Sequence, residues 1–318
     1  MKRLLLVLLS IGLVIAGCGE GNTSNGNAVI TVEDPEAVNP VDLVRAAAEQ
    51  TGSLTSFRAD HVTSLTGLPF IGEYVQPASI LQAANGDNSI TMDLADTTID
   101  GERLPSELFD YALEIRHLDD KIYISLPEED MRRFADTKWV SITRNQVAEE
   151  ELEYFEGFDP KEQLNFLLGV DEDAVVSHGE EVDGVIATRI SGESTFEQIL
   201  ATLSAEEQQE MLDSALSFFT AQDISSDEVI SIFNELNFEF DVWINEEGYI
   251  LQNIVFLKNF DQIAGAIDPT ISDWIEAVGD IEMTYETRFF DHGAPVTIVE
   301  PPPEEVTPYE GSLDSLLS

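Results

Sequence analysis

Apolar and polar positions along the chain follow two periods, and the change between them marks the predicted elements. Between Ser194 and Leu236, apolar residues recur at helical spacing in two or three successive segments. Ser204 and Glu207 form a capping box, beyond which a wide apolar stripe follows, made of Met211, Leu212, Ala215, Leu216, Phe218 and Phe219. A second helix is predicted from about Asp227, with Val229, Ile230, Ile232, Phe233 and Leu236 as its apolar residues.

Outside this block, apolar residues alternate with polar ones, which is the period of a half-buried strand. We predict strands at about 55–66, 88–98, 108–118, 121–126, 138–143, 174–182, 185–192, 237–245, 249–259, 280–290 and 295–299. The strongest two-residue hairpin turn among them is Asp183-Gly184. Shorter helices are predicted to begin at Asn39-Pro40 and Asp159-Pro160. Helices laid on one face of an antiparallel sheet of about eleven strands define an α+β fold.

The N-terminal residues have the pattern of an export signal. Lys2 and Arg3 precede an apolar run, and small residues lead directly into Cys18. This order resembles the lipobox of bacterial lipoproteins, which implies cleavage before Cys18 and a lipid on its sulfur. The alternative is a plain secretory signal with an incidental cysteine. We therefore predict a signal peptide at 1–17, a flexible tether at 18–39, one domain at 40–305 and an acidic tail at 306–318.

The chain is strongly acidic, with 62 acidic residues against 15 basic ones and a formal net charge of −47. Removing the signal takes away Lys2 and Arg3 and no acid, which leaves 13 basic residues and a charge of −49. This charge disfavours nucleic acid as a partner. Two interpretations stay open: a docking surface for a basic protein or for divalent cations, and a solvated surface without a specific partner.

Motifs for catalysis and metal binding are absent from the pattern. The histidines His61, His117, His178 and His292 lie far apart and lack metal-ligand spacing. The chain has no G-x-S-x-G, and no EF-hand spacing occurs among its acids. We predict no metal, no cofactor and no enzymatic activity, so a secreted hydrolase is the least favoured class.

Three segments together resemble the LolA-like lipoprotein family, of the LppX/LprG type. The first includes Phe158-Asp159-Pro160, Leu164 to Leu168 and Glu180 to Arg189; the second is Phe240 to Gly248; the third is Phe290 to Pro302. With the lipobox, their order fits the family across about 40–305. The resemblance implies a strongly curved antiparallel half-barrel whose concave face is covered by helices, with an apolar space that takes acyl chains. The acidity of this chain and its acidic 145–160 segment depart from that pattern.

These observations predict a monomeric, lipid-anchored lipoprotein on the outer face of the cytoplasmic membrane that carries an acyl-bearing lipid or lipoprotein within the envelope. The predicted cavity residues are Met211, Leu212, Leu216, Phe219, Phe233, Phe240 and Val242. Each of them has an alternative role as plain core against the sheet. The alternative function is a regulatory or scaffold lipoprotein that resembles anti-sigma modulators and offers a protein-binding patch.

Overall fold

The computed structural model describes residues 39–67, 72–103, 112–125, 137–144, 164–171, 173–217, 225–259 and 281–309. Its described α-helices are Pro40–Gly52 (α1), Asn165–Leu168 (α2), Phe196–Thr202 (α3), Ala205–Ser217 (α4) and Ser226–Phe233 (α5). None of the helices in these ranges is long and apolar enough to cross a membrane.

In the described part of the chain, fourteen strands form one mostly antiparallel sheet. They are Phe57–Thr66 (β1), Glu73–Gln82 (β2), Asn88–Asp93 (β3), Thr98–Ile99 (β4), Glu102–Arg103 (β5), Ala112–Leu118 (β6), Lys121–Ser125 (β7), Trp139–Thr143 (β8), Val175–Val182 (β9), Val185–Ser194 (β10), Asn237–Asn245 (β11), Ile250–Lys258 (β12), Glu282–Phe290 (β13) and Val306–Pro308 (β14). Their order is β14-β8-β7-β6-β3-β2-β1-β13-β12-β11-β10-β9, and the short β4–β5 hairpin branches from β2. The predicted α+β class is confirmed.

Local sequence signals explain where the helices begin. The Asn39 side chain accepts a hydrogen bond from the Val41 amide at 3.0 Å, and Pro40 occupies the first helical position of α1. Capping boxes begin α3, at Thr195 with Gln198, and α5, at Ser225 with Glu228. Three helices therefore lie between β10 and β11, as the apolar spacing predicted.

The predicted hairpin turn at Asp183-Gly184 joins β9 to β10. Both residues have positive φ, 50° and 84°, which is the backbone that a two-residue turn between twisted strands requires. Val185 pairs with Val182 directly across the turn. The Asp-Gly signal thus set the register of this edge of the sheet.

Strand alternation divides the sheet into two chemically different faces. The inner face carries large buried side chains from β1–β3 and β10–β13, such as Phe57, Ile80, Phe238 and Phe289, which pack against the helices in one core cluster. Lysine, arginine, aspartate and glutamate side chains of β1, β2 and β10–β13 take the alternate positions, on the outer face. The core therefore lies between the inner face and the helical layer.

One central strand was missed by the sequence analysis. β2 lies between β1 and β3 and contains Pro77, which argues against a central strand because proline lacks an N–H group. On the side away from β1, residues 78–82 of β2 pair with β3, and only Tyr74 and Val75 pair with β4. Pro77 falls in the gap between these two partners, so the sheet accommodates it.

The C-terminal segment also differs from prediction. Residues 295–299 form no strand; the segment crosses the outer face, where Ile298 packs on Leu118, Tyr123 and Trp139. The Arg116 guanidinium donates to the Val299 carbonyl at 2.6 Å. Beyond it β14, which lies in the predicted tail, pairs in parallel with β8. The described sheet thus continues to Pro308.

Candidate functional site

The inner face of β10–β13 and the helices above it form the candidate site. Helix α1 packs on β11 and β12, and its Thr51 hydroxyl accepts a hydrogen bond from the Ile250 amide at 2.9 Å. The Phe166 ring of α2 stacks on Phe238 of β11 at 5.4 Å between centroids. The Ser194 hydroxyl donates to the Phe166 carbonyl at 3.2 Å. These contacts anchor α1 and α2 directly to the sheet.

The other three helices are held to one another. The Phe196 ring of α3 lies 4.9 Å from that of Phe233 on α5, and Asn234 accepts a hydrogen bond from the Glu197 amide at 3.0 Å. Helix α4 packs on α3 and α5. Its Met211 and Ala215 are buried, while Leu212 and Leu216 pack on the core and stay partly exposed. Helix α4 therefore covers the core with one side of its apolar stripe, and Leu212 and Leu216 lie at the boundary between core and solvent.

The structure brings most of the predicted cavity residues into one cluster. Met211 from α4, Phe233 from α5 and both Phe240 and Val242 from β11 are buried in the same core, and Leu212 and Leu216 border it. Phe219 and Cys18 lie outside the described residues.

Sequence reasoning missed a strip of polar side chains in the middle of the inner face. Asn253, Thr287 and His61 are successive cross-strand partners on β12, β13 and β1. His61 Nδ1 lies 2.9 Å from Thr287 Oγ1, and His61 Nε2 lies 3.1 Å from Thr63 Oγ1. The strip continues to Gln76 on β2, whose Oε1 accepts a hydrogen bond from the Tyr74 hydroxyl. It contains hydrogen-bonding groups and no permanent charge.

Two amides in this strip keep buried atoms without hydrogen-bond partners in the described part of the chain. They are Asn253, at both Nδ2 and Oδ1, and Gln76, at Nε2. Asn253 is 0% exposed. A buried polar atom without a partner costs about 1–3 kcal/mol, so such an atom calls for an explanation. In the sequence, each of these residues is a single polar residue at a strand position where an apolar one is expected. Only the pairing of the strands shows that these positions are neighbours.

Burial keeps the ionisable groups of the strip neutral. Desolvation lowers the pKa of His61 from 6.5 to about 4, so its imidazole is uncharged at neutral pH. Desolvation also raises the pKa of Tyr74 to about 12 and that of Tyr285 further still. The inner face therefore presents neutral donors and acceptors within an apolar surface.

A different site, an open pocket of about 540 Å³, borders β10 and β11 and is rich in charge. It contains the carboxylates of Asp171, Asp173, Glu193, Glu239 and Asp241 and the guanidinium of Arg189. Arg189 donates to both oxygens of Asp241 at 2.8–3.0 Å, and this hydrogen bonding raises the pKa of Arg189. The positive charge of Arg189 is thus paired within the pocket, and the remaining charges there are carboxylates. The pocket therefore favours a cationic ligand over an anionic one.

Neither site has the layout of a metal centre. Within the described ranges, no three His, Cys, Asp or Glu side chains are grouped so that they can hold a metal ion. What the interior offers chemically is burial of apolar groups together with hydrogen bonding to uncharged ones.

Comparison with known proteins gives matches among solved structures only. Solved structures similar to this chain over most of its length include lipoproteins and LolA superfamily proteins, which confirms the resemblance seen in the sequence. The sequence itself matches no protein-family model and no curated protein.

The lipoprotein LppX of Mycobacterium tuberculosis is 14% identical, with a TM-score of 0.37, and the match covers 82% of this chain and 98% of that one. LprF from Mycobacterium bovis is 11% identical, with a TM-score of 0.39 and coverage of 84% and 98%. A LolA superfamily protein from Nitrosomonas europaea is 11% identical, with a TM-score of 0.24 and coverage of 84% and 97%. All three TM-scores lie below 0.5, so no ligand or mechanism is carried over from these proteins.

Proposed function

We propose that this protein is a non-enzymatic envelope lipoprotein, anchored through lipid on Cys18, that carries an acyl-bearing lipid or lipoprotein. The acyl chains lie between the inner face of the sheet, curved as a half-barrel, and the helices that cover it. A tethered carrier of this kind loads at its own membrane and delivers to an acceptor. Met211, Leu212, Leu216, Phe219, Phe233, Phe240 and Val242 line the chain-binding space in this proposal.

The observation that carries the proposal is the separation of charge between the two faces of the sheet. The protein has 62 acidic residues, yet the inner face of β1, β2 and β10–β13 carries none of them, while the outer face of these strands carries many. Helix α4 covers this uncharged interior through α3 and α5, and its Leu212 and Leu216 remain partly exposed. An apolar interior under an incompletely closed helix suits entry of a hydrocarbon chain.

The energetics require a preformed interior. Burying a methylene group contributes about 0.8 kcal/mol, so a chain of about sixteen carbons gains on the order of 12 kcal/mol against water. A bilayer offers the same chain a similar gain. Transfer from membrane to protein is therefore close to balanced, and it succeeds only where the protein spends little free energy on opening its interior.

The test places a large side chain where the acyl chain is proposed to lie. Leu216→Trp is expected to lower the amount of lipid that co-purifies from the native host while leaving the melting temperature unchanged. Lipid is measured by mass spectrometry and stability by thermal unfolding, both on one preparation. Leu167→Trp is the control, since Leu167 is fully buried in α2, and overpacking there costs about 1–3 kcal/mol.

A lowered melting temperature for Leu216→Trp, in a protein that holds no lipid even as wild type, contradicts the carrier function. That outcome favours the scaffold alternative. The exposed tip of the β9–β10 hairpin, where Val185 and Ile186 are 44% and 53% exposed, then becomes the first surface to test for protein binding.

A further inference from the structure

Asn253 differs from the other buried polar side chains of the described residues in that two of its polar atoms lack a hydrogen-bond partner there. Its amide is fully buried, and neither Nδ2 nor Oδ1 finds a hydrogen-bond partner in the described residues. Gln76, the other amide of the polar strip, differs because its Oε1 is already engaged by Tyr74. Asn253 thus offers one free donor and one free acceptor at the same point.

The position of Asn253 connects it to the proposed acyl-binding space. Its direct partner on β11 is Val242, a predicted cavity residue, and its partner on β13 is Thr287. Along β12 its nearest inner-face neighbours are Ile250 and Val255, both essentially unexposed. An amide set among aliphatic side chains in this way is a single polar point on an apolar wall.

The chemistry of the wall limits what the amide can receive. By register, β1, β2 and β10–β13 place no charged side chain on the inner face. A phosphate or carboxylate placed there would lose its hydration without gaining a counter-charge, which is strongly unfavourable. An alcohol both accepts and donates a hydrogen bond, so it complements Nδ2 and Oδ1 together without adding charge.

We propose that Asn253 binds an alcohol group of an uncharged acyl lipid, which makes the ligand a hydroxyl-bearing neutral lipid and not a phospholipid or an ionised fatty acid. This inference rests on the proposed function. The alcohol has two sources, the free hydroxyl of a diacylglycerol or a hydroxyl on the acyl chain, and the chemistry at Asn253 is the same for both.

The experiment uses two matched pairs of lipids and the delipidated full chain. The first pair is 1,2-dipalmitoylglycerol and 1,2-dipalmitoyl-propanediol, which lacks only the glycerol hydroxyl. The second pair is methyl 3-hydroxypalmitate and methyl palmitate. Affinities are measured by displacement of a fluorescently labelled fatty-acid methyl ester, which is an uncharged acyl probe. Wild type is expected to prefer the hydroxylated member of one pair by about tenfold or more, which identifies the source of the alcohol.

Asn253→Leu, which replaces the amide with an apolar side chain of similar size, is expected to bind both members of that pair equally. Gln76→Leu is the matched control. It also removes a buried amide, but Gln76 lies three strands away, or about 14 Å at 4.8 Å per strand, so the preference should persist. Dipalmitoyl phosphatidate, with the same chains and a charged group, should displace the probe least.

Three results overturn the inference. If wild type binds both members of each pair equally, an internal water and not a ligand satisfies Asn253. A preference that survives in Asn253→Leu places the alcohol elsewhere. Failure of the probe and of every lipid to bind refutes the proposed function together with this inference, whereas binding without preference refutes the inference alone.

Discussion

His61 should make the folded protein sensitive to mild acid. Its imidazole is 2% exposed on the inner face of β1 and lies between the hydroxyls of Thr287 and Thr63. By register it also faces Ala78 on β2, and its ring stacks on Tyr285 at 5.9 Å. None of these groups is a carboxylate, and desolvation by burial opposes a positive charge on the ring.

The size of the effect follows from the pKa of the imidazole in the two states. The pKa is 6.5 in the unfolded chain and about 4 in the folded one, so between these values the unfolded state binds a proton that the folded state does not. Stability is therefore fully present above about pH 6.5 and is lost as the pH falls towards 4. Linkage gives a loss of about 2 kcal/mol between pH 7 and pH 5, and about 3 kcal/mol in all.

The assay compares wild type with His61→Gln, which keeps a hydrogen-bonding side chain but does not titrate. Both are unfolded with urea at pH 7 and pH 5, and the fluorescence of the tryptophans reports the transition. Titration of the 62 acidic residues and of His117 is common to both proteins and cancels in the difference. Wild type should lose about 2 kcal/mol more than the variant, or about 4–8 °C in melting temperature. Equal losses in the two proteins would show that protonation of His61 is not opposed by burial.

Three further predictions concern packing, charge and anchoring. Gly192→Ala places a Cβ 2.8 Å from Cζ of the buried Phe240, so the free energy of unfolding measured in urea should fall by about 1–3 kcal/mol. Gly52→Ala is the control, because nothing lies within 4 Å of the added Cβ and no loss of stability is expected. The melting temperature should rise from low to high sodium chloride because salt screens the self-repulsion of the acidic surface, and a flat or falling curve would indicate local pairing or specific ion binding. Cys18→Ser should move the protein from the detergent phase to the aqueous phase in a partition assay, and unchanged partitioning would exclude lipid on Cys18.

The elements with regular alternation could be predicted closely from the sequence. β11 was expected at 237–245 and is found there, because Phe238, Phe240, Val242 and Ile244 alternate with polar residues and one face is buried. The cap-and-stripe pattern predicted the helical block for the same reason. In each case the local sequence pattern and the burial of the element in the fold favour the same secondary structure.

Where local pattern and tertiary environment disagree, the sequence misleads. β2 could not be predicted because Pro77 disfavours a central strand. The sheet accommodates this proline only because it lies between the residues that pair with β3 and those that pair with β4. Residues 295–299 alternate because Ile298 packs on Tyr123 and its neighbours, without any strand partner. The polar strip is beyond local reasoning altogether, because Asn253, Thr287 and His61 become neighbours only through pairings between distant strands.

The pairing of β1 with β13 also governs how the sheet is assembled. Strands β1 to β8 and strands β9 to β13 mostly pair with strands that are near them in the chain. Residues 58–66 of β1, in contrast, pair with residues 282–290 of β13, which are synthesised much later. Long-range pairing of this kind is slow because the chain loses the entropy of closing a long loop before any favourable contact forms. As the chain emerges from a ribosome or an export channel, β1 therefore presents an unpaired edge for most of that time. An edge of this kind is where chaperone contact and misassembly concentrate.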